Sequence, residues 1–233
     1  GDFLWEQYVE RTKRKVLLRN FYETEKENFS MKEKIIFSMT KWTLKNTSHV
    51  VFSTEWQRNI FIEAYDLERD RTSIIENYYG PKETDMEPEG KMFIASSRGI
   101  FLKNEKMLQE IFNNLPEAEL FTENLPHSQF MEKVKNSHAV IAPSISEVSP
   151  NLILEAIRFN RPFICTRETG IYDRVKEAGI FVDPLDKEEL KSAVNHLLTE
   201  EGYRNAKEKV RNFNFTHTWQ EIAREFLSIS EKI

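Results

Sequence analysis

At 233 residues the chain has room for one large domain or two small ones, and 39% hydrophobic against 30% charged residues is the balance of a globular protein with a charged surface. A net charge of −5 gives no general reason to bind nucleic acid, no apolar run approaches the ~20 residues of a membrane span, and no charged-then-apolar leader opens the sequence. The single Cys165 excludes an internal disulfide; set in the apolar run PFICT, it reads as a buried strand residue in a reducing, cytoplasmic setting.

Residues 1–80 are mostly helical in pattern, with two strand candidates. LWEQYVERTKR predicts a helix that leads into a strand at KVLLRNF, Lys15–Phe21. A polar stretch precedes a helix over Lys32–Asn46, and HVVFS, His49–Ser53, reads as a second buried strand. Thr54 and Gln57 have the capping-box spacing that opens a helix through Trp56, Ile60 and Ala64. SIIENYY then runs into GPKETDMEPEG, residues 80–90, whose prolines, glycines and acids mark a linker or exposed loop.

From Lys91 the pattern alternates. Strand candidates are KMFIAS, AELFT, HAVIAPS, PFICT and GIFVD. Helices are expected at Glu105–Asn114, Ser128–Asn136, Pro150–Phe159 and Tyr172–Ala178, and a further one, opened by Asp186 and Glu189, carries Leu190, Val194 and Leu197. This alternation predicts an α/β fold, a parallel Rossmann-like sheet with helices on both faces. Ligands bind such sheets at the carboxyl ends of the strands. Arg98, Lys103, Glu147 and Thr166–Gly170 all follow predicted strand ends. A last helix opens at Thr218 with Glu221, and Trp219, Ile222, Phe226 and Ile229 share one of its faces.

The most informative stretch is SISEVSPNLILEAIRFNRP, Ser144–Pro162. Ser149 is a good N-cap and Pro150 suits a first helical position, so Glu147 falls in a loop and Glu155 in the second turn of a helix. Helix N-termini at strand ends attract phosphates. A carboxylate one turn deeper is placed to accept vicinal sugar or ribose hydroxyls. Glu147 and Glu155 are separated by seven residues, and the segment resembles the Glu-x7-Glu motif of retaining glycosyltransferases of family 4, which have the two-domain GT-B fold. The order of neighbouring motifs agrees. KMFIASSRGIFLKN, Lys91–Asn104, looks like the family's strand followed by Arg98 and, five residues on, Lys103. RPFICTRETGIYDRVKEAGIFVDPLDKEEL, Arg161–Leu190, looks like its next strand, glycine-containing loop, short helix and G-x-x-V-x-P-x-D strand.

The resemblance implies a donor-binding domain over residues 81–217, a partial N-terminal, acceptor-side α/β portion over 1–80, and a terminal helix, 218–233, of the kind that crosses back to the N-terminal part. It implies a retaining transfer from a nucleoside-diphosphate sugar to a glycan, lipid or small-molecule acceptor, with no cofactor and no metal, and is compatible with peripheral membrane association. Arg98 and Lys103 would grip the diphosphate, because a planar fork and a movable point charge both answer phosphate oxygens. Glu147 would lie near the donor sugar and Glu155 would take the ribose hydroxyls. Asn151 and Leu152 would offer helix N–H groups, and Thr169 and Gly170 would approach the donor.

Two departures stand beside this. The family's glycine-rich stretch after the first glutamate is replaced here by Val148-Ser149-Pro150, and Pro150 removes a backbone donor. Only AELFT separates the Lys103 helix from the helix before HAVIAPS, where the family has two strands. Without the resemblance, Arg98 and Lys103 read as surface cations, and Glu155 as a solvated helix flank paired with Arg158. A sugar-nucleotide epimerase, a glycan phosphorylase and a noncatalytic nucleotide-sugar-binding module remain as alternatives. His49, His127, His138, His196 and His217 have no metal-ligand spacing, and there is no Asp-x-Asp.

Overall fold

The computed structural model describes residues 2–96 and 99–231. The chain divides into two units, Gly1–Tyr78 with His217–Ile233, and Tyr79–Thr216.

The first unit begins with α1 (Phe3–Thr12), capped by Asp2, whose carboxylate accepts the Trp5 N–H. It continues through α2 (Leu18–Thr24), α3 (Met31–Asn46), β1 (Val50–Phe52), α4 (Glu55–Tyr65) and β2 (Thr72–Ile74), with β1 and β2 parallel. Ser30 and Glu33 close a full capping box on α3, and Thr54 caps α4 by accepting the Gln57 N–H. The expected strand KVLLRNF is instead the start of α2. Leu18, Phe21 and Tyr22 are buried at helical spacing, and a short apolar run does not by itself distinguish strand from helix. Aromatic rings fill this core: Tyr8, Phe21, Phe29, Phe37 and Tyr65 lie in successive ring contacts.

The second unit follows the predicted alternation. It comprises β3 (Met92–Ile94), α5 (Glu105–Phe112), β4 (Glu119–Phe121), α6 (His127–Asn136), β5 (Ala139–Ala142), α7 (Asn151–Arg158), β6 (Phe163–Thr166), α8 (Tyr172–Val175), β7 (Ile180–Val182), α9 (Lys187–Leu198) and α10 (Glu200–Asn212). All five strands form one parallel sheet in the order β4-β3-β5-β6-β7. Successive strand residues alternate between two hydrophobic clusters. Ile94, Val140, Phe163 and Cys165 face one, with residues of α6, α7 and α10. Phe93, Ala139, Ile141 and Ile164 face the other, with residues of α5 and α9. Burial on both faces explains why these strands read as continuous apolar runs.

Residues 80–90 have no regular structure, but they are tied to the second unit rather than free. Lys82 Nζ donates to the carbonyls of Ile157 (2.9 Å) and Val210 (2.6 Å). Asn160 Nδ2 donates to Glu83 O at 2.9 Å, and Arg158 pairs with the Glu83 carboxylate. The fully buried Arg161 binds Asp85 and the Met86 carbonyl. Lys207 reaches Glu87 at 2.9 Å, and Arg211 reaches Asp85. The acids that suggested a linker or exposed loop are answered by bases far along the chain, which no local pattern announces.

After the second unit the chain re-enters the first with α11 (Trp219–Ser230), opened by a Thr218–Glu221 capping box.

Candidate active site

The sheet order reverses between β3, whose chain neighbour β4 lies on one side, and β5, which lies on the other. The loops that leave the carboxyl ends of β3 and β5 therefore flank this reversal, the position where open parallel sheets take ligands. Lys103 is on the first of these loops and Glu147 on the second.

Lys103 ends a single 3-10 turn, Phe101–Lys103. Its ammonium forms an ion pair with Glu147, and Ser144 Oγ donates to the same carboxylate oxygen at 2.7 Å. Both side chains keep partial solvent contact, 28% for Lys103 and 16% for Glu147, so the pair is reachable from outside. The backbone of Glu147 is fixed from the third loop, after β6. Its N–H donates to Glu168 O (2.8 Å), its carbonyl accepts the Gly170 N–H (3.0 Å), and Glu147 and Thr169 form a one-residue parallel bridge. Thr169 is buried, and its hydroxyl has no hydrogen-bond partner among the described residues. Gly170 does not have a positive φ; its N–H serves to hold Glu147.

Asn104 organises the same edge, and sequence reasoning passed it over. It is buried, sits at φ 55° and precedes α5. Asn tolerates the left-handed region better than most residues. Its carboxamide donates to Pro143 O (2.7 Å) and Pro184 O (2.9 Å), joining the loops after β3, β5 and β7. Ile145 N–H donates to Leu102 O at 2.9 Å and closes the β3 and β5 loops further.

The start of α7 differs by one residue from expectation. Pro150, not Ser149, is the N-cap, with ψ 104°, and its carbonyl accepts the Ile153 N–H at 2.9 Å. Proline's fixed φ suits an extended cap as well as a first turn. Asn151 and Leu152 are the first two residues of the helix. Glu155 lies in the second turn, as its spacing predicts. It pairs with Arg158 at 3.3 Å, and Arg158 also holds Glu83. Among the described residues no hydrogen bond or ion pair joins Glu155 to Lys103 or Glu147. Arg98 lies outside the described residues.

Beneath the site, Cys165 on β6 is fully buried; burial first, and then the charge of Glu147, push its thiol pKa up, so it stays protonated. Among the described residues no group of three or more His, Cys, Asp or Glu is placed to hold a metal ion. The arrangement offers a partly exposed cation held by a fixed carboxylate, next to a helix N-terminus and at the mouth of a parallel sheet.

The family model for glycosyl transferases group 1 matches residues 91–200, all within the second unit. No curated protein matches the sequence. Among solved structures, sucrose-phosphate synthase of Thermosynechococcus elongatus is 14% identical, with a TM-score of 0.68 over 98% of this chain and 71% of its own. WaaG, a glycosyltransferase involved in lipopolysaccharide biosynthesis, is 16% identical, with a TM-score of 0.69 over 98% and 72%. HepE of Anabaena, solved with UDP, is 13% identical, with a TM-score of 0.66 over 90% and 70%. At these identities the likeness is one of fold. Residues 91–200 of this chain match the family model for glycosyl transferases group 1, and the chain has the GT-B fold of these glycosyltransferases.

Proposed function

We propose that the protein transfers a sugar, with retention, from a nucleoside-diphosphate sugar to a glycan, lipid or small-molecule acceptor. The observation that carries this reading is the Lys103–Glu147 ion pair at the reversal of strand order. A diphosphate leaving group needs cations that are already positioned and still accessible. Glu147, itself held by the Ser144 hydroxyl, keeps Lys103 in place, and an arriving diphosphate competes with Glu147 for its ammonium. Arg98 and the N–H groups of Asn151 and Leu152 complete the phosphate contacts in this reading, Glu155 takes the ribose hydroxyls, and no metal ion is required. Glu147, released from Lys103, faces the donor sugar beside Thr169 and Gly170. That HepE was solved with UDP supports a nucleoside diphosphate as the ligand class.

The test is titration of the wild-type chain and Lys103→Gln with a nucleoside and with its diphosphate, in a strong chelator. A lost charge-assisted contact of ~1.5–3 kcal/mol weakens diphosphate binding about ten- to hundredfold and leaves the nucleoside unaffected. Equal losses for both ligands, or binding that needs a divalent ion restored, would overturn the assignment. Product analysis with labelled nucleotide sugars then separates transfer from sugar interconversion, phosphorolysis and binding without turnover.

A further inference from the structure

The C-terminal turn of α7 is gripped by a stretch of chain that precedes the family-matched residues 91–200. Lys82 donates to Ile157 O and Val210 O, in the last turns of α7 and α10, which places one cation at the negative end of both helices. The next residue is held by its main chain. Glu83 N–H donates to Arg158 O at 2.9 Å, and Glu83 O accepts from Asn160 Nδ2 at 2.9 Å. Bonds on both sides thus fix Glu83 against the end of α7.

The Glu83 carboxylate meets Arg158, and Lys135 of α6 at 3.6 Å. Arg158 forks between two acids: Nη2 goes to Glu83, and Nη1 goes to Glu155 Oε2 at 3.3 Å. Its Nε is buried and has no hydrogen-bond partner among the described residues. A guanidinium that only neutralised Glu83 would take that carboxylate with two parallel bonds, which is the stronger arrangement. Divided as it is, Arg158 makes single bonds, leaves Nε unused, and bridges residue 83 to Glu155. Among the described residues Arg158 is the only side chain bound to the Glu155 carboxylate, and it holds one oxygen.

We propose that Arg158, anchored by Glu83, is the positioning residue that fixes the Glu155 carboxylate for the ribose hydroxyls, and so sets the preference of this site for ribonucleotides over nucleotides that lack those hydroxyls. The inference rests on the assignment of Glu155 to the ribose in the proposed function. A glutamate on a helix flank has several torsions to order when a ligand arrives. Held in advance by one oxygen, it offers the other to a hydroxyl with that ordering already done. Arg158 touches no ligand in this scheme; it acts through Glu155.

The experiment titrates the full chain with UDP, GDP and ADP and with the same diphosphates of dideoxyribose. The variants are Glu155→Gln, Arg158→Ala and Glu83→Gln, and Arg158→Ala combined with each of the other two. For the base bound most tightly, Arg158→Ala should weaken ribonucleotide binding about two- to tenfold, the cost of ordering one long side chain, and leave dideoxynucleotide binding at wild-type strength. Glu83→Gln should act in the same direction by a smaller factor and add nothing to Arg158→Ala. Arg158→Ala with Glu155→Gln should match Glu155→Gln alone, since a residue that acts through another has no effect once its target is gone. The Arg158 and Glu83 side chains are each 32% exposed, so both variants are expected to fold, and unchanged dideoxynucleotide binding reports an intact site. Equal losses for both sugars would reduce Arg158 to a support of the fold. Tighter ribonucleotide binding would make it a competitor of the ribose, and additive losses with Glu155→Gln would mean that it contacts the ligand itself. Each of these, or wild-type binding by Arg158→Ala or Glu83→Gln, would overturn the proposal. No effect of Glu155→Gln would overturn the ribose assignment and this inference with it, and is distinguishable from a failure of Arg158 alone. No binding of any diphosphate by the wild-type chain would overturn both.

Discussion

Asn104 is the residue whose removal should disturb the site most without touching a ligand. Two contributions are separable. Asn104→Gly keeps the left-handed backbone and loses the two hydrogen bonds to Pro143 and Pro184; Asn104→Ala loses the bonds and adds a Cβ at φ 55°. An unpaired buried carbonyl costs ~1–3 kcal/mol, and the left-handed conformation costs a residue with a Cβ ~1 kcal/mol more than glycine. Both variants should lose at least ~2 kcal/mol in urea denaturation, with Ala about 1 kcal/mol below Gly. Equal values for the two would mean that the backbone conformation relaxes at no cost. Lys103 and Glu147 were legible because each follows an apolar run, and parallel topology gathers strand ends on one edge. Asn104 was not, because its partners are main-chain oxygens 39 and 80 residues away. Carbonyls carry no side-chain signature.

At the scale of elements, the loop after β6 and the start of α9 are joined by Arg167, which grips Glu189 with two bonds of 2.7 Å, while Glu189 also accepts the Asp183 N–H at 2.8 Å. The Arg167 bonds first, and then the Asp183 N–H, hold the Glu189 carboxyl below its ordinary value of 4.5 against the opposing effect of burial. A depressed carboxyl stabilises the fold at pH above its unfolded value, and that contribution is lost as pH falls through the folded value. Glu189→Gln should therefore cost about 1 kcal/mol near neutral pH, the scale of a well-formed exposed pair. The cost should shrink toward zero as the pH drops below the carboxylate range. A pH-independent difference in denaturation midpoint would mean that shape, not charge, holds the loop. Elements were readable in proportion to how much apolar surface they bury. The five strands of the large sheet and amphipathic α7 were plain. Helix α10 was missed because it is polar nearly throughout, with only Gly202, Ala206, Lys207 and Val210 buried. The misread KVLLRNF shows the opposite failure, since its apolar residues serve a helix face as well as a strand.

On the scale of the whole molecule, the first unit is discontinuous, and what joins its C-terminal piece to the rest is specific. Trp219 stacks on Tyr78 with ring centroids 5.2 Å apart and planes at 7°. His217 Nδ1 meets Asn77 O at 3.1 Å, and His217 Nε2 meets Glu225 at 3.2 Å. The helical face of residues 219–229 was visible in the sequence; a contact 140 residues away in the chain was not, because nothing local to Asn77 or Tyr78 marks a partner. An aromatic pair is worth ~0.5–1.5 kcal/mol beyond its area. Trp219→Ala should thus speed amide exchange in the first unit about three- to tenfold, most visibly in β1 and β2, where exchange follows opening of that unit as a whole. Amides of β3, β5 and β6 belong to the other unit, which has its own two hydrophobic clusters, and should exchange at the wild-type rate. Hydrogen exchange read by mass spectrometry on peptides from each unit makes the comparison. Faster exchange in both units by the same factor would show that they unfold as a single cooperative body, and unchanged exchange in the first would leave the Trp219–Tyr78 stack without a share in its stability.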